Sequence, residues 1–92
     1  SYFLLDRQGQ VLLSGEGPVA VDASGLRCLL FVQGRLVLYN LNPLHVLRRW
    51  SKVVERPLSV RFSGNGRLAV SLGARGDYQV WEVDEEHRVY ER

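Results

Sequence analysis

The sequence predicts an all-β fold of antiparallel strands, and three observations lead to this prediction. Apolar stretches are short and rich in Val and Leu, and Gly, Asn, Asp and Ser interrupt them at close intervals. This alternation of apolar stretch and turn is typical of strands rather than helices. A pattern of about forty residues also occurs twice along the chain.

Ten strands are predicted, most of them between turn signals. The strands cover residues 2–6, 10–14, 19–22, 28–32, 36–41, 46–50, 58–62, 68–72, 78–83 and 88–91. The turn signals lie at residues 7–9, 15–18, 23–25, 33–34, 42–43, 63–66, 73–77 and 84–86, and each contains Gly, Pro, Asn or Asp. These residues suit the tight turns that join neighbouring strands of an antiparallel meander.

For residues 44–54 a helix is the alternative prediction, because the apolar residues Leu44, Leu47 and Trp50 recur at three-residue intervals. Three β-branched valines in the same stretch favour a strand instead. The internal repeat also favours a strand there.

The composition is that of one ordinary folded domain. The chain has 92 residues, of which 46% are hydrophobic and 24% charged. Twelve basic and ten acidic side chains leave a formal charge of +2, which does not by itself indicate a nucleic-acid partner. The single cysteine excludes a disulfide framework and a thiolate metal cluster and fits a reducing compartment.

The sequence also predicts an intracellular, cytoplasmic protein with no membrane partner. No apolar run approaches the ~18 residues that cross a bilayer, and the N-terminus has no basic-then-apolar signal segment. Ser at position 1 and the lack of any Met indicate a processed or excised start.

Residues 18–56 and 57–92 are two copies of one pattern. Aligned from their prolines, the copies pair Pro18 with Pro57, Val21 with Val60, Ser24 with Ser63, Gly25 with Gly64, Arg27 with Arg67, Leu30 with Val70, Gly34 with Gly76, 38–41 with 80–83, and His45 with His87. Insertions fall only at turns, where a repeated unit tolerates them. Residues 1–17 are predicted to be a partial third copy of two strands, since residues 2–6 resemble residues 36–40.

A period near forty with four strands per unit is the signature of a propeller blade. Residues 62–70 resemble the first turn and second strand of the WD40 family, and residues 80–83 resemble its closing Trp-Asp stretch, with Trp81 followed by Glu82. Neither copy contains the family's Gly-His pair. The resemblance implies a partial propeller: a half blade at 1–17 and full blades at 18–56 and 57–92.

That resemblance implies a non-enzymatic scaffold for protein-protein interaction. Propellers typically close with 4 to 8 blades, so about two and a half blades leave apolar faces open. A larger propeller or a different chain supplying the remaining blades is favoured over a ring of identical copies, because copies would leave the half blade incomplete. The alternative is a small β-sandwich or barrel that binds nucleic acid or acidic ligands through a loop rich in Arg and Trp.

The candidate partner-binding residues lie in and near the predicted connection between the two full units. They are Arg48, Arg49, Trp50, Lys52, Arg56 and Arg75. Arg75 is predicted on the same face as the connection, together with Asp77. A Trp among cations can anchor an acidic peptide, contact a phosphate group or stack on a base. The simpler interpretation is that Trp50 packs on Val53 and Val54 while the arginines face solvent.

No catalytic, metal-binding or cofactor-binding residues are predicted. His45 and His87 occupy equivalent positions that do not converge, and no Cys or carboxylate cluster accompanies them. The acidic run at 84–86 is more simply a solvated turn than a Ca²⁺ site. Tyr39 and Trp81 lie among Val and Leu, which favours core packing over a sugar pocket. No set of nucleophile, base and orienting group can be named, so the chain is not expected to be an enzyme.

Overall fold

A computed structural model of the chain describes residues 2–83, which form nine β-strands and no helix. The strands are β1 (Tyr2–Leu5), β2 (Val11–Gly15), β3 (Val19–Val21), β4 (Arg27–Val32), β5 (Arg35–Leu41), β6 (Leu44–Val53), β7 (Pro57–Phe62), β8 (Leu68–Gly73) and β9 (Tyr78–Glu82). The predicted all-β class is confirmed. The tenth predicted strand, at 88–91, lies outside the described residues.

The nine strands form three antiparallel sheets that follow one another along the chain. Sheet A contains β1 and β2, sheet B has the order β3-β4-β5-β6, and sheet C has the order β7-β8-β9. Each strand pairs only with its neighbours in sequence, because the turns between paired strands are short. Within residues 2–83 no sheet closes on itself, so the barrel of the alternative prediction is wrong for the described residues.

Strand β6 is longer than the sequence predicts, and its stretch is not helical. It extends over ten residues, Leu44–Val53, and pairs with β5 along its length. Its register shifts between Leu38 and Tyr39 of β5 and again between Arg35 and Val37. Such irregularities bend a strand and change which face a side chain occupies. The helical alternative fails because pairing with β5 satisfies the backbone of this valine-containing stretch.

Matching hydrogen bonds in the turns of sheets B and C define the true register of the repeat. The Asp22 amide donates to the Arg27 carbonyl (3.0 Å), and the Ser63 amide donates to the Leu68 carbonyl (2.8 Å). Asp22 thus corresponds to Ser63, and the pairing of Ser24 with Ser63 is wrong. Side chains agree with this register, because Asp22 Oδ1 accepts from the Arg27 amide and Ser63 Oγ from the Leu68 amide.

The backbone conformations of the turn glycines also contradict the predicted alignment of the two copies. Gly25 and Gly66 adopt φ of +76° and +74°, a conformation that favours glycine, whereas Gly64 has no positive φ. Gly25 therefore corresponds to Gly66 and not to Gly64. Farther along the chain the predicted pairing of 38–41 with 80–83 holds. The Leu41 amide donates to the Leu26 carbonyl and the Val83 amide to the Arg67 carbonyl, each at 2.8 Å.

The principal core lies between sheets B and C. Its buried members are Leu29, Leu36, Leu38, Val54, Val60, Ala69, Trp81 and Val83. Ala20, Phe31, Trp50 and Phe62 pack against this cluster while remaining partly exposed. Strand alternation explains the membership, because residues two apart on a strand share a face.

The opposite face of sheet B is also buried, by sheet A. Cys28, Leu30 and Val37 are at most 4% exposed, and Tyr2 of sheet A lies close enough to Cys28 and Tyr39 for their charges to raise its pKa, after the larger effect of desolvation. Because both faces of sheet B are covered, β4 and β5 are almost continuously apolar in sequence.

Burial makes the Cys28 thiol a probe of the folded state. Desolvation, with a smaller effect from Asp22, raises its pKa from 9.0 to about 11. The thiol should resist alkylation at pH 8 in the native protein and react once denaturant is added. Between pH 9 and 11 the unfolded chain ionises first, so folding stability should fall as pH rises.

Urea unfolding at a series of alkaline pH values measures this effect, with Cys28→Ala as the matched control. The variant lacks the thiol, so its stability should fall less between pH 9 and 11. Equal slopes for the two proteins, or rapid native labelling at pH 8, would contradict the prediction.

Candidate functional site

Basic side chains of sheet B cross to sheet C. Arg27 Nη2 donates to the Gly66 carbonyl (3.1 Å), and Lys52 Nζ donates to Gln79 Oε1 (2.8 Å). The Arg27 guanidinium also lies 5.6 Å from the centroid of the Phe62 ring. These contacts connect the two sheets at several points, so part of the basic composition serves packing rather than a partner.

Asp22 holds Arg27 in this position. Its carboxylate accepts a 2.9 Å bond from Arg27 Nε and a 2.9 Å bond from Ser24 Oγ. Desolvation alone would raise the pKa of Asp22, but these hydrogen bonds outweigh it and hold that pKa below its ordinary value. The turn at the start of β4 is thus part of the contact between sheets.

Arg48 and Arg49 are neighbours in sequence, but their side chains lie in different surroundings. Arg48 is half-buried, donates a 2.7 Å bond to the Glu82 carbonyl and lies 4.5 Å from the Trp50 ring centroid. Arg49 pairs with Val37 across the sheet and is exposed. Strand alternation separates them, because adjacent strand residues point to opposite faces.

Trp50 belongs to an aromatic cluster around Trp81. The Trp50 and Trp81 centroids are 5.9 Å apart at 74°, and Phe31 meets Trp81 edge-on at 6.4 Å. Trp81 Nε1 donates a 3.0 Å bond to Ser71 Oγ, which satisfies its polar atom inside the core. The prediction that Trp81 packs in the core is confirmed. The prediction that Trp50 packs while the arginines face solvent is wrong for Arg48.

The structure therefore disperses the predicted partner-binding residues. Arg48, Arg49, Trp50 and Lys52 lie within strand β6 and not in a connection, because β6 continues to Val53. Arg56 lies in the short connection before β7, with φ of +51°, and its carbonyl accepts from the Ala74 amide (3.1 Å). No single patch collects these side chains.

Lys52 and Arg75 both line a cleft of about 250 Å³ between sheets B and C, which we name the junction cleft. Glu55, Asp77 and Gln79 also line it. The Arg75 guanidinium is 3.9 Å from the Glu55 carboxylate, and both are exposed. Two basic and two acidic side chains balance, so this cleft has no preference for an anion.

A second cleft, of about 230 Å³, lies on sheet B, and we name it the arginine cleft. It is lined by Val32, Gln33, Arg35, Val37, Tyr39, Arg49 and Trp50. Sequence reasoning identified Arg49 and Trp50 but missed Arg35. The sequence contains a feature that indicates Arg35. The two-residue turn at 33–34 puts Arg35 at the start of β5, on the same face as Val37.

Residues 2–83 contain neither a cluster of metal-ligating side chains nor a membrane-spanning helix. No group of three or more His, Cys, Asp or Glu side chains converges there, and no helix there is long and apolar enough to cross a bilayer. His45 is exposed, with Nδ1 3.1 Å from the Pro43 carbonyl. His87 and the acidic run at 84–86 lie outside the described residues.

Sheets A and C each expose an apolar face on the side away from sheet B. On sheet C this face contains Leu68, Val70, Leu72, Tyr78 and Val80, and we name it the C end face. On sheet A it contains Phe3, Leu5 and Val11, and we name it the A end face. Monomeric proteins rarely expose contiguous apolar patches of this kind without a partner.

No family model matches the sequence, and no curated protein sequence matches it. Among solved structures, the chain is similar to the β-propeller domain of Cps50 (Swd1) from Myceliophteria thermophila, with a TM-score of 0.64 and 13% identity. The similarity covers 89% of this chain and 33% of that chain, so this chain spans a third of its length. At this identity the likeness concerns the fold alone. The predicted partial propeller is confirmed.

The contrast between Arg48 and Arg49 can be tested with two matched variants. Arg48→Gln removes a charged donor from the Glu82 carbonyl, so it should lower the free energy of unfolding by about 1–3 kcal/mol. Arg49→Gln, one residue away on the same strand, should change it by less than about 0.5 kcal/mol. Urea unfolding followed by tryptophan fluorescence measures both. Equal losses for the two variants would contradict the predicted contrast.

Proposed function

We propose that the chain is a segment of a WD40-like β-propeller that acts as a non-enzymatic scaffold for protein-protein interaction. Further blades cover its two end faces, supplied by the rest of a larger propeller or by another chain. The likeness to a propeller domain of which the chain spans only a third supports this proposal.

The observation that carries the proposal is a comparison between equivalent positions in sheets B and C. Leu29, Leu36 and Leu38 of sheet B are 0, 0 and 3% exposed, because sheet C covers them. The register of the turn hydrogen bonds makes Val70, Tyr78 and Val80 their equivalents in sheet C.

Val70, Tyr78 and Val80 are 38, 67 and 67% exposed. Leu29 pairs with Leu38 in sheet B just as Val70 pairs with Val80 in sheet C. The side chains are apolar in both sheets, but only those of sheet B are covered. The C end face thus has the composition of a face that receives a further sheet.

An antiparallel sheet is the occupant that fits this face. The face is one side of a sheet and is mostly apolar, so it offers burial to another sheet face but few polar groups to orient a small substrate. We place this scaffold in the cytoplasm, because its one cysteine is a buried free thiol that needs no oxidising compartment.

The association state of the 92-residue chain tests the proposal. Light scattering after size exclusion should show concentration-dependent association, because open end faces bury apolar area when they meet. The double variant Tyr78→Lys/Val80→Lys should reduce association, since both side chains are two-thirds exposed and their loss removes little from the core.

Leu47→Lys serves as the matched control, because Leu47 is also exposed but lies on β6, outside both end faces. It should leave association unchanged. A wild-type chain that stays monomeric at its highest soluble concentration would overturn the proposal, and so would equal effects of the control and the double variant.

A further inference from the structure

The arginine cleft brings together two guanidinium groups on one face of sheet B. Arg35, Val37 and Tyr39 alternate along β5 and therefore share a face. Arg49 of β6 lies directly opposite Val37. Arg35 pairs with Val53 beyond the register shift, and its side chain lines the same cleft as that of Arg49.

The part of this cleft's lining that the structure describes is positively charged. Its two charged members are Arg35 and Arg49, and no carboxylate of residues 2–83 lines it. The junction cleft provides the comparison, since Glu55 and Asp77 there balance Lys52 and Arg75. A cleft with two cations and no acid attracts an anion.

Both arginines keep donors available for a ligand. Arg35 Nε donates to the Ser51 carbonyl at 3.3 Å, which orients the guanidinium and leaves its terminal nitrogens without a partner within residues 2–83. Arg49 is exposed and makes no hydrogen bond or ion pair within the same residues. An anchored guanidinium group such as that of Arg35 binds an oxyanion at a smaller entropic cost than a free one.

We propose that the arginine cleft binds a phosphorylated side chain of a protein partner. A phosphate monoester carries a charge of about −1.5 to −2 at pH 7 and three acceptor oxygens, which two guanidinium groups match. A carboxylate carries one charge, which a single arginine satisfies. The half-buried Tyr39 ring lines the cleft and offers an apolar surface to the carbon part of the ligand. This site goes beyond the scaffold role and lies on neither end face.

Isothermal titration calorimetry of the 92-residue chain tests the site with defined probes. These are N-acetyl-O-phosphotyrosine amide, N-acetyl-O-phosphoserine amide, inorganic phosphate, unphosphorylated N-acetyltyrosine amide, an acidic peptide and a single-stranded oligonucleotide. We expect the phosphorylated amino acids to bind more tightly than the other probes. Their affinity should fall below about pH 6, where the phosphate gains a proton.

Arg49→Gln should weaken binding of the phosphorylated probes about tenfold, as expected for one lost charge-assisted contact. Arg61→Gln is the matched control, because Arg61 is exposed on β7 and is not among the residues that line the cleft. It should leave the affinity unchanged. Arg49→Lys keeps the charge without the bidentate fork and should give an intermediate loss. Circular dichroism confirms that each variant folds.

Several results would overturn the site. Equal affinity of wild type and Arg49→Gln would show that the cleft does not hold the phosphate. Tighter binding of the acidic peptide or the oligonucleotide would assign the cleft to a different partner. A chain that stays monomeric yet loses phosphate binding on Arg49→Gln would retain this site while contradicting the scaffold proposal, so the two failures are distinguishable.

Discussion

The packing of sheet C against sheet B is the contact on which the rest of the molecule depends. Leu29, Leu36 and Leu38 are withdrawn from water only because Trp81 and its neighbours lie over them. A chain this short has little other apolar area with which to offset the entropy of ordering its backbone. The edge-on contacts of Trp50 and Phe31 with Trp81 position the two sheets, and the bond to Ser71 removes the cost of burying the indole nitrogen.

Polar contacts then determine how the two sheets are aligned. Arg27 and Arg48 donate to backbone carbonyls of sheet C, where acceptors at strand and turn ends would otherwise depend on water. Because these two arginines bind groups of the protein itself, fewer basic side chains remain for a ligand than the composition implies. Arg35 and Arg49 line one cleft in which no carboxylate of residues 2–83 faces them.

The repeated units differ in what covers them more than in what they contain. On the face of each sheet that points away from sheet A, equivalent positions are apolar in sheets B and C. Burial differs because sheet B has a neighbour on each side and sheet C has one among the described residues. Sheet A and sheet C therefore each have an uncovered apolar face, the A end face and the C end face. Propellers close into rings because each blade then has a neighbouring blade on both of its faces.

The sequence by itself determined the fold class, the strand-and-turn order and the existence of the repeat, because these follow from local apolar alternation and from turn residues. Its alignment of the repeat was two residues out at Gly25, since only the turn hydrogen bonds and the positive φ of Gly66 identify the true equivalents. The tertiary structure decided which of Arg48 and Arg49 turns towards sheet C. It also decided that Arg35 joins Arg49. Strand register and packing between sheets settle such questions, because both depend on residues far apart in the chain.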